Sequence, residues 1–253
     1  MLVPGTAIQD AGPVSLLTEK IARRMLQDDK YQAGEPALPE EISDAEIIIS
    51  SDTRRENRIP PNQVRTRKWP VLQAGVIPVI EPESWSLEVT GLVEHPFQLN
   101  WAQFKEMSRV RVFSDFHCVT RWSRLGNVWE GVSTAEIAQR AGIRPEAKFV
   151  VAHAFDDSWS TNLPLEQFLS PDALLVDLHD GEPLTADHGA PVRLVVPLLY
   201  AWKSAKWLKG IEFVAEDKPG YWERVGYHHH GDPWKEERFE GDQPDSYSDN
   251  AGI

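Results

Sequence analysis

The chain has 253 residues, 41% of them hydrophobic, a formal net charge of −13 and a single cysteine. It can bury a substantial core as one large domain or two small ones; one cysteine excludes an intrachain disulfide or a cysteine-cluster zinc site. The acidity argues against nucleic acid as the main partner, because a phosphate backbone needs a basic face. No apolar run has the length needed to span a bilayer, and the first residues lack a basic stretch leading into an apolar core. Arg23-Arg24 and Arg54-Arg55 are not followed by apolar segments either, so a cytoplasmic protein without a membrane span is the expectation.

Val14, Leu17, Ile21 and Met25 recur at helical spacing and predict an amphipathic helix over 14–29. Residues 30–62, rich in proline and charge, read as an extended arm. Short β-type runs follow. Trp85 to Thr90 alternates apolar and polar residues and stops at Gly91. Val110 to Phe116, Phe149 to Ala152, Ala173 to Leu178, Val192 to Val196 and Ile211 to Val214 are further strands. Ser133 and Glu136 have the spacing of a capping box, with Gly142 as the C-terminal stop. Asn162 to Phe168 reads as a short capped helix with Pro164 in its first turn. Asp180-Gly181-Glu182-Pro183 and Asp187 to Pro191 read as turns. The division expected is an N-terminal helix and arm over 1–50, a main domain over 51–240 and an acidic tail over 241–253. The class is α+β, mainly β, with mixed sheets and short helices.

Two stretches carry chemistry. Cys118 lies in Phe116-His117-Cys118-Val119-Thr120-Arg121-Trp122-Ser123. Nearby positive charge favours a thiolate, which attacks electrophiles or binds metals. A free cysteine also serves as a small core hydrophobe, and the residues alone leave both readings open. The second stretch, Asp187-His188-Gly189-Ala190-Pro191-Val192-Arg193, runs from a glycine turn into an apolar strand, and Ser204 and Lys206 follow. Backbone amides at such a turn, a bidentate arginine, a hydroxyl and a point charge together suit a phosphate. Neither the P-loop nor the dinucleotide fingerprint is present, so a nucleotide is not indicated.

The cysteine loop, Asn127 to Val132, the His-Gly-Ala-Pro-Val-Arg segment, Ser204-Ala205-Lys206-Trp207, and Gly226-Tyr227-His228 through Trp234 occur in an order that resembles the molybdopterin-dependent oxidoreductases of the sulfite oxidase fold. The resemblance spans roughly residues 58–239 and is greatest to a short bacterial branch related to the catalytic subunit of methionine-sulfoxide reductases. It implies that Cys118 is the thiolate ligand to molybdenum and that the cofactor, Mo-molybdopterin, supplies the other equatorial sulfurs. It implies that His188, Arg193, Ser204, Ala205 (through its backbone) and Lys206 hold the pterin and its phosphate, with His153 as a further polar contact. Trp69 to Gly75 resembles a cofactor-lining loop. The implied reaction is oxo transfer on a small oxyanion or sulfoxide, with electrons exchanged with a separate electron-transfer protein.

Sulfite-oxidising members resemble one another in an arginine pair just after the cysteine, whereas this chain has Thr120-Arg121-Trp122 and then Arg124. Arg121 is a catalytic candidate in two senses, steering an anionic substrate or tuning Cys118 as a neighbouring charge. His228-His229-His230 reads as a turn, since consecutive residues cannot all face one metal. Most of the ten tryptophans belong to the core, with Trp122, Trp129 and Trp207 as candidates for a pocket edge. Two rival classes stand beside the oxidoreductase: a zinc-dependent hydrolase using His117, Cys118 and His228 to His230, and a non-catalytic β-rich binding module.

Overall fold

The computed structural model describes residues 47–155 and 159–241; the helix expected over 14–29 and the tail beyond 241 lie outside them. Twelve strands run in chain order among the described residues. They are β1 (Ile48–Ile49), β2 (Val64–Thr66), β3 (Ser86–Gly91), β4 (Phe97–Asn100), β5 (Val110–His117) and β6 (Trp122–Ser133). Then come β7 (Phe149–Ala154), β8 (Ser160–Pro164), β9 (Leu174–His179), β10 (Glu182–Pro183), β11 (Arg193–Val195) and β12 (Leu208–Val214). Four short α-helices punctuate them: α1 (Trp101–Glu106), α2 (Thr134–Ala141), α3 (Leu165–Phe168) and α4 (Tyr221–Arg224). No helix among the described residues is long and apolar enough to cross a membrane.

The strands form two mixed sheets. One has the order β1-β5-β6-β9-β10, with β2 also on β6 and β11 also on β9; the other has the order β4-β3-β12-β7-β8. Side chains alternate across a strand, and β9 and β11 use both faces. Leu175 and Leu194 join the core between the sheets, with Val150, Ile211 and Phe213. Leu174, Val176 and Val195 point the other way, into a second core with Phe116, Cys118 and Trp122. A strand buried on both faces reads as a continuous apolar run, which is how Leu174-Leu175-Val176 appears in the sequence. Arg193 shares the face of Val195, so an arginine enters the cysteine's core by strand periodicity alone.

The expected strands are present with boundaries shifted by a few residues. Two readings need correction. Asn162-Leu163-Pro164 ends strand β8, and only Leu165–Phe168 is helical; Asn162 pairs with Val151 and its side chain accepts from Lys203, which fixes it in the sheet. Ser133 does cap α2, but by accepting from the Ala135 amide rather than through a reciprocal pair with Glu136. The capping box is made at α1, by Asn100 and Gln103. Gly142 ends α2 at φ 64°, as its type suggests. In the described part of the arm, Ile48 and Ile49 pair in parallel with β5, and Arg58 donates to both oxygens of the buried Asp115 at 2.8 and 2.6 Å.

Candidate active site

The β5–β6 hairpin turns at Cys118. The Cys118 amide donates to Trp122 O at 2.9 Å and the Arg121 amide to Cys118 O at 3.0 Å. Arg121 sits at φ 70°, a left-handed conformation that costs an L residue about 1–2 kcal/mol. Chain-distant groups hold the turn in place. Gln63 Nε2 donates to Cys118 O at 3.0 Å, and the buried Arg238 donates through Nη1 to Val119 O at 2.6 Å. Thr120 Oγ1 donates to Cys118 Sγ at 3.2 Å. Cys118 itself is 8% exposed. Burial pushes its thiol up; the Thr120 hydrogen bonds, then the charges of Arg238 and Lys206, act in the opposite sense. The expectation that adjacent cations favour the thiolate is therefore corrected for the metal-free protein, because desolvation outweighs them. Coordination to a metal would remove that proton outright.

Cys118 opens into a cavity of about 340 Å³. His188, Arg193, Ser204 and Lys206 line it too, as do Trp69 and Gln73 from the loop after β2. Arg193 is 3% exposed; its Nη1 donates to His188 O and its Nη2 to Ser204 O, each at 2.9 Å, while its guanidinium lies 5.4 Å from the rings of Trp69 and Phe116. No carboxylate among the described residues pairs with it, and burial pushes it down to about 9. Lys206 Nζ donates to Asp187 O at 2.8 Å and is pushed down to about 8, by burial first and then by Arg193. The His188 ring stacks on Trp69 at 3.7 Å and 11°, and burial followed by the Arg193 charge holds it at about 4, a neutral imidazole at physiological pH. Ser204 Oγ accepts from the Val196 amide at 3.0 Å, which leaves its own O–H as a donor. Gly189 has φ 105°, and a Cβ there would stand 3.0 Å from Lys206 Cα, so this position keeps the lysine's backbone close to the turn.

Two cations and a hydroxyl line the cavity and no carboxylate among the described residues lines it with them; a buried charge without a partner is costly unless a ligand supplies one. The residues present therefore fit an anionic group such as a phosphate, which Arg193, Lys206 and Ser204 would hold in the cavity that Cys118 also lines.

Not every expected residue reaches this cavity. Ala205 is fully buried beside it and accepts from the Leu194 amide at 2.8 Å. His153 lies outside the lining, on β7, where Nε2 faces Glu212 at 3.0 Å. Arg121 is also outside, so the anion-steering sense of its candidacy is not supported by its position. Trp122 and Trp207 edge the cavity as expected, whereas Trp129 is wholly buried against Phe116. His117 binds Ser123 Oγ through Nδ1 at 2.8 Å, and His229 and His230 face Asp217 and Glu237. No group of three or more His, Cys, Asp or Glu able to hold a metal occurs among the described residues, so the zinc-hydrolase ligand set does not assemble. Sequence reasoning missed Trp202, Trp222 and Tyr227, which line the cavity, and Gln63 and Arg238, which clamp the turn. No local pattern marks either group.

Residues 74–222, more than half of the chain, match the family described as oxidoreductase molybdopterin binding domain. The chain is 51% identical over 189 residues to an uncharacterised oxidoreductase of Bacillus subtilis (strain 168), YuiH, covering 74% of this chain and 95% of that one. It is 30% identical over 153 residues to a protein of Azospira oryzae provisionally named as a protein-methionine-sulfoxide reductase subunit, YedZ1, covering 60% of this chain and 57% of that one. The fold is shared with sulfane dehydrogenase SoxCD from Paracoccus pantotrophus, with a TM-score of 0.52 at 22% identity, over 59% of this chain and 42% of that one. The chain belongs to the oxidoreductase molybdopterin-binding domain family and is an oxidoreductase that takes a molybdopterin cofactor.

Proposed function

We propose that Cys118 is the protein's thiolate ligand to molybdenum, and that the enzyme exchanges an oxygen atom with a small sulfite- or sulfoxide-type substrate while a separate carrier protein exchanges the electrons. One observation carries this reading: the chain's only cysteine lines the same cavity as a buried arginine that has no carboxylate partner among the described residues. When bound, the cofactor supplies a two-electron redox centre and its own sulfur ligands. The chain's residues do the rest. Arg193, Lys206 and the Ser204 hydroxyl neutralise and orient the phosphate, and the neutral His188 offers a ring nitrogen next to it. Gln63 and Arg238 fix the carbonyls of the cysteine turn, which holds the sulfur at one position. Aromatic side chains around the cavity exclude water. The name of the Azospira oryzae relative directs attention to methionine sulfoxide, and the resemblance to sulfite-oxidising proteins directs it to sulfite.

Metal analysis of protein made in a host that synthesises molybdopterin tests the reading. About one molybdenum per chain is expected in the wild type. Cys118→Ser should lose dye-linked turnover while keeping the fold by circular dichroism. Zinc instead of molybdenum, or full turnover in Cys118→Ser, would overturn it.

A further inference from the structure

The cavity has two chemically different walls. His188, Arg193, Ser204 and Lys206 form the cationic one, which the proposed function assigns to the cofactor. The other is built from Trp202, Trp222 and Tyr227, with Trp122, Val119 and Ala201 beside them. Tyr227 stacks on Trp222 at 4.9 Å and 26°, and Trp202 meets Tyr227 edge-on at 5.1 Å. These rings are held before anything binds: Trp202 Nε1 donates to Glu223 Oε1 at 2.9 Å, and Tyr200 stacks behind Trp202 at 5.3 Å. Trp122 is 2% exposed, and its buried Nε1–H has no hydrogen-bond partner.

No cation serves this wall among the described residues. Arg121 and Arg238 are outside the lining, and Arg238 is engaged with Val119 O. Arg124 pairs with Asp180 at 2.6 Å, Arg224 donates to Pro219 O, and Lys203 is fully buried on Glu223 at 2.7 Å. An inorganic oxyanion entering here would give up its hydration for aromatic faces in a chain of net charge −13. An uncharged molecule with a flat apolar body would stack on the Trp222–Tyr227 pair.

Resting on the oxidoreductase reading, we infer that the substrate is an uncharged organic molecule carrying a flat aromatic or apolar group, received by Trp202, Trp222 and Tyr227, and not a small inorganic oxyanion. Calorimetric titration of the molybdenum-loaded protein tests this with methyl phenyl sulfoxide, dimethyl sulfoxide, sulfite and nitrate as probes. Methyl phenyl sulfoxide should bind about tenfold more tightly than dimethyl sulfoxide and than either oxyanion. Trp222→Ala should abolish the preference for the aryl probe. Sulfite or nitrate binding as tightly as the aryl probe, or an unchanged aryl preference in Trp222→Ala, would overturn the inference. Molybdenum is measured on the same samples: its absence overturns the cofactor reading and this inference together, whereas an oxyanion preference in a loaded protein overturns this inference alone.

Discussion

Lys203 and Arg193 are both buried cations near one cavity, and they are treated in opposite ways. Lys203 has no exposed side-chain surface and donates to Glu223 Oε1 at 2.7 Å, to both oxygens of Asn162 at 2.9 and 3.0 Å, and to His229 O at 2.5 Å. Those partners come from β8, α4 and the loop after it, so the lysine ties three segments together behind the aromatic wall. Arg193 meets backbone carbonyls and aromatic rings alone. The fold thus completes one buried charge with a carboxylate, and in the proposed function the cofactor's phosphate completes the other. On that reading the contrast separates a structural cation from a ligand-holding one more clearly than burial does.

Breaking the satisfied pair should have the largest effect. Glu223→Ala leaves Lys203 buried without its counter-charge and should cost about 3–5 kcal/mol in urea unfolding; a cost below about 1 kcal/mol would erase the distinction between the two cations. Arg193→Met should behave differently. In metal-free protein it should cost at most about 1 kcal/mol, because lost hydrogen bonds offset relief of an unpaired charge. Its molybdenum content should fall about tenfold, equivalent to about 1.4 kcal/mol of cofactor binding; unchanged content would remove Arg193 from the phosphate site. A further effect is read through pH. Burial pushes His179 down to about 3, with Asp180 opposing and Arg124 and Arg193 reinforcing. Its folded pKa lies below the unfolded value, so its contribution is complete above pH 6.5 and is lost as pH falls from 6.5 towards about 3. His179 alone should contribute about 1.4 kcal/mol per pH unit to the slope of acid unfolding of the metal-free protein, beside His117 and His188, which burial also pushes down, to about 3 and about 4. His179→Gln should reduce that slope by its own share, and Arg193→Met should reduce it partly.

The residues proposed to hold the cofactor stood out because they are close in sequence. His188 to Arg193 and Ser204 to Lys206 bracket one strand and one turn, so local geometry brings them together. The strand β6 was hidden by Ser123, Arg124, Asn127 and Glu130, polar residues that break alternation and find partners across the sheet as well as within the strand; Asn127 donates to Ser114 O at 3.1 Å and to Arg124 O at 2.9 Å, for example. His153 was misplaced for a related reason. Strand periodicity states that a residue faces one side, but not what lies there, and on β7 that side carries Glu212.

The amino-acid order alone determined the mainly β class, the strands that alternate or run apolar, the polar turn before Arg193 and the singular Cys118. These depend on interactions within a few residues or on side-chain period. Tertiary structure alone decided that Gln63 and Arg238 hold the cysteine turn, that Arg121 stays out of the cavity and that three aromatic rings form its uncharged wall. Such contacts join residues separated by tens to more than a hundred positions, as between Arg238 and Val119, and no local spacing encodes a distance that only the packed sheets create.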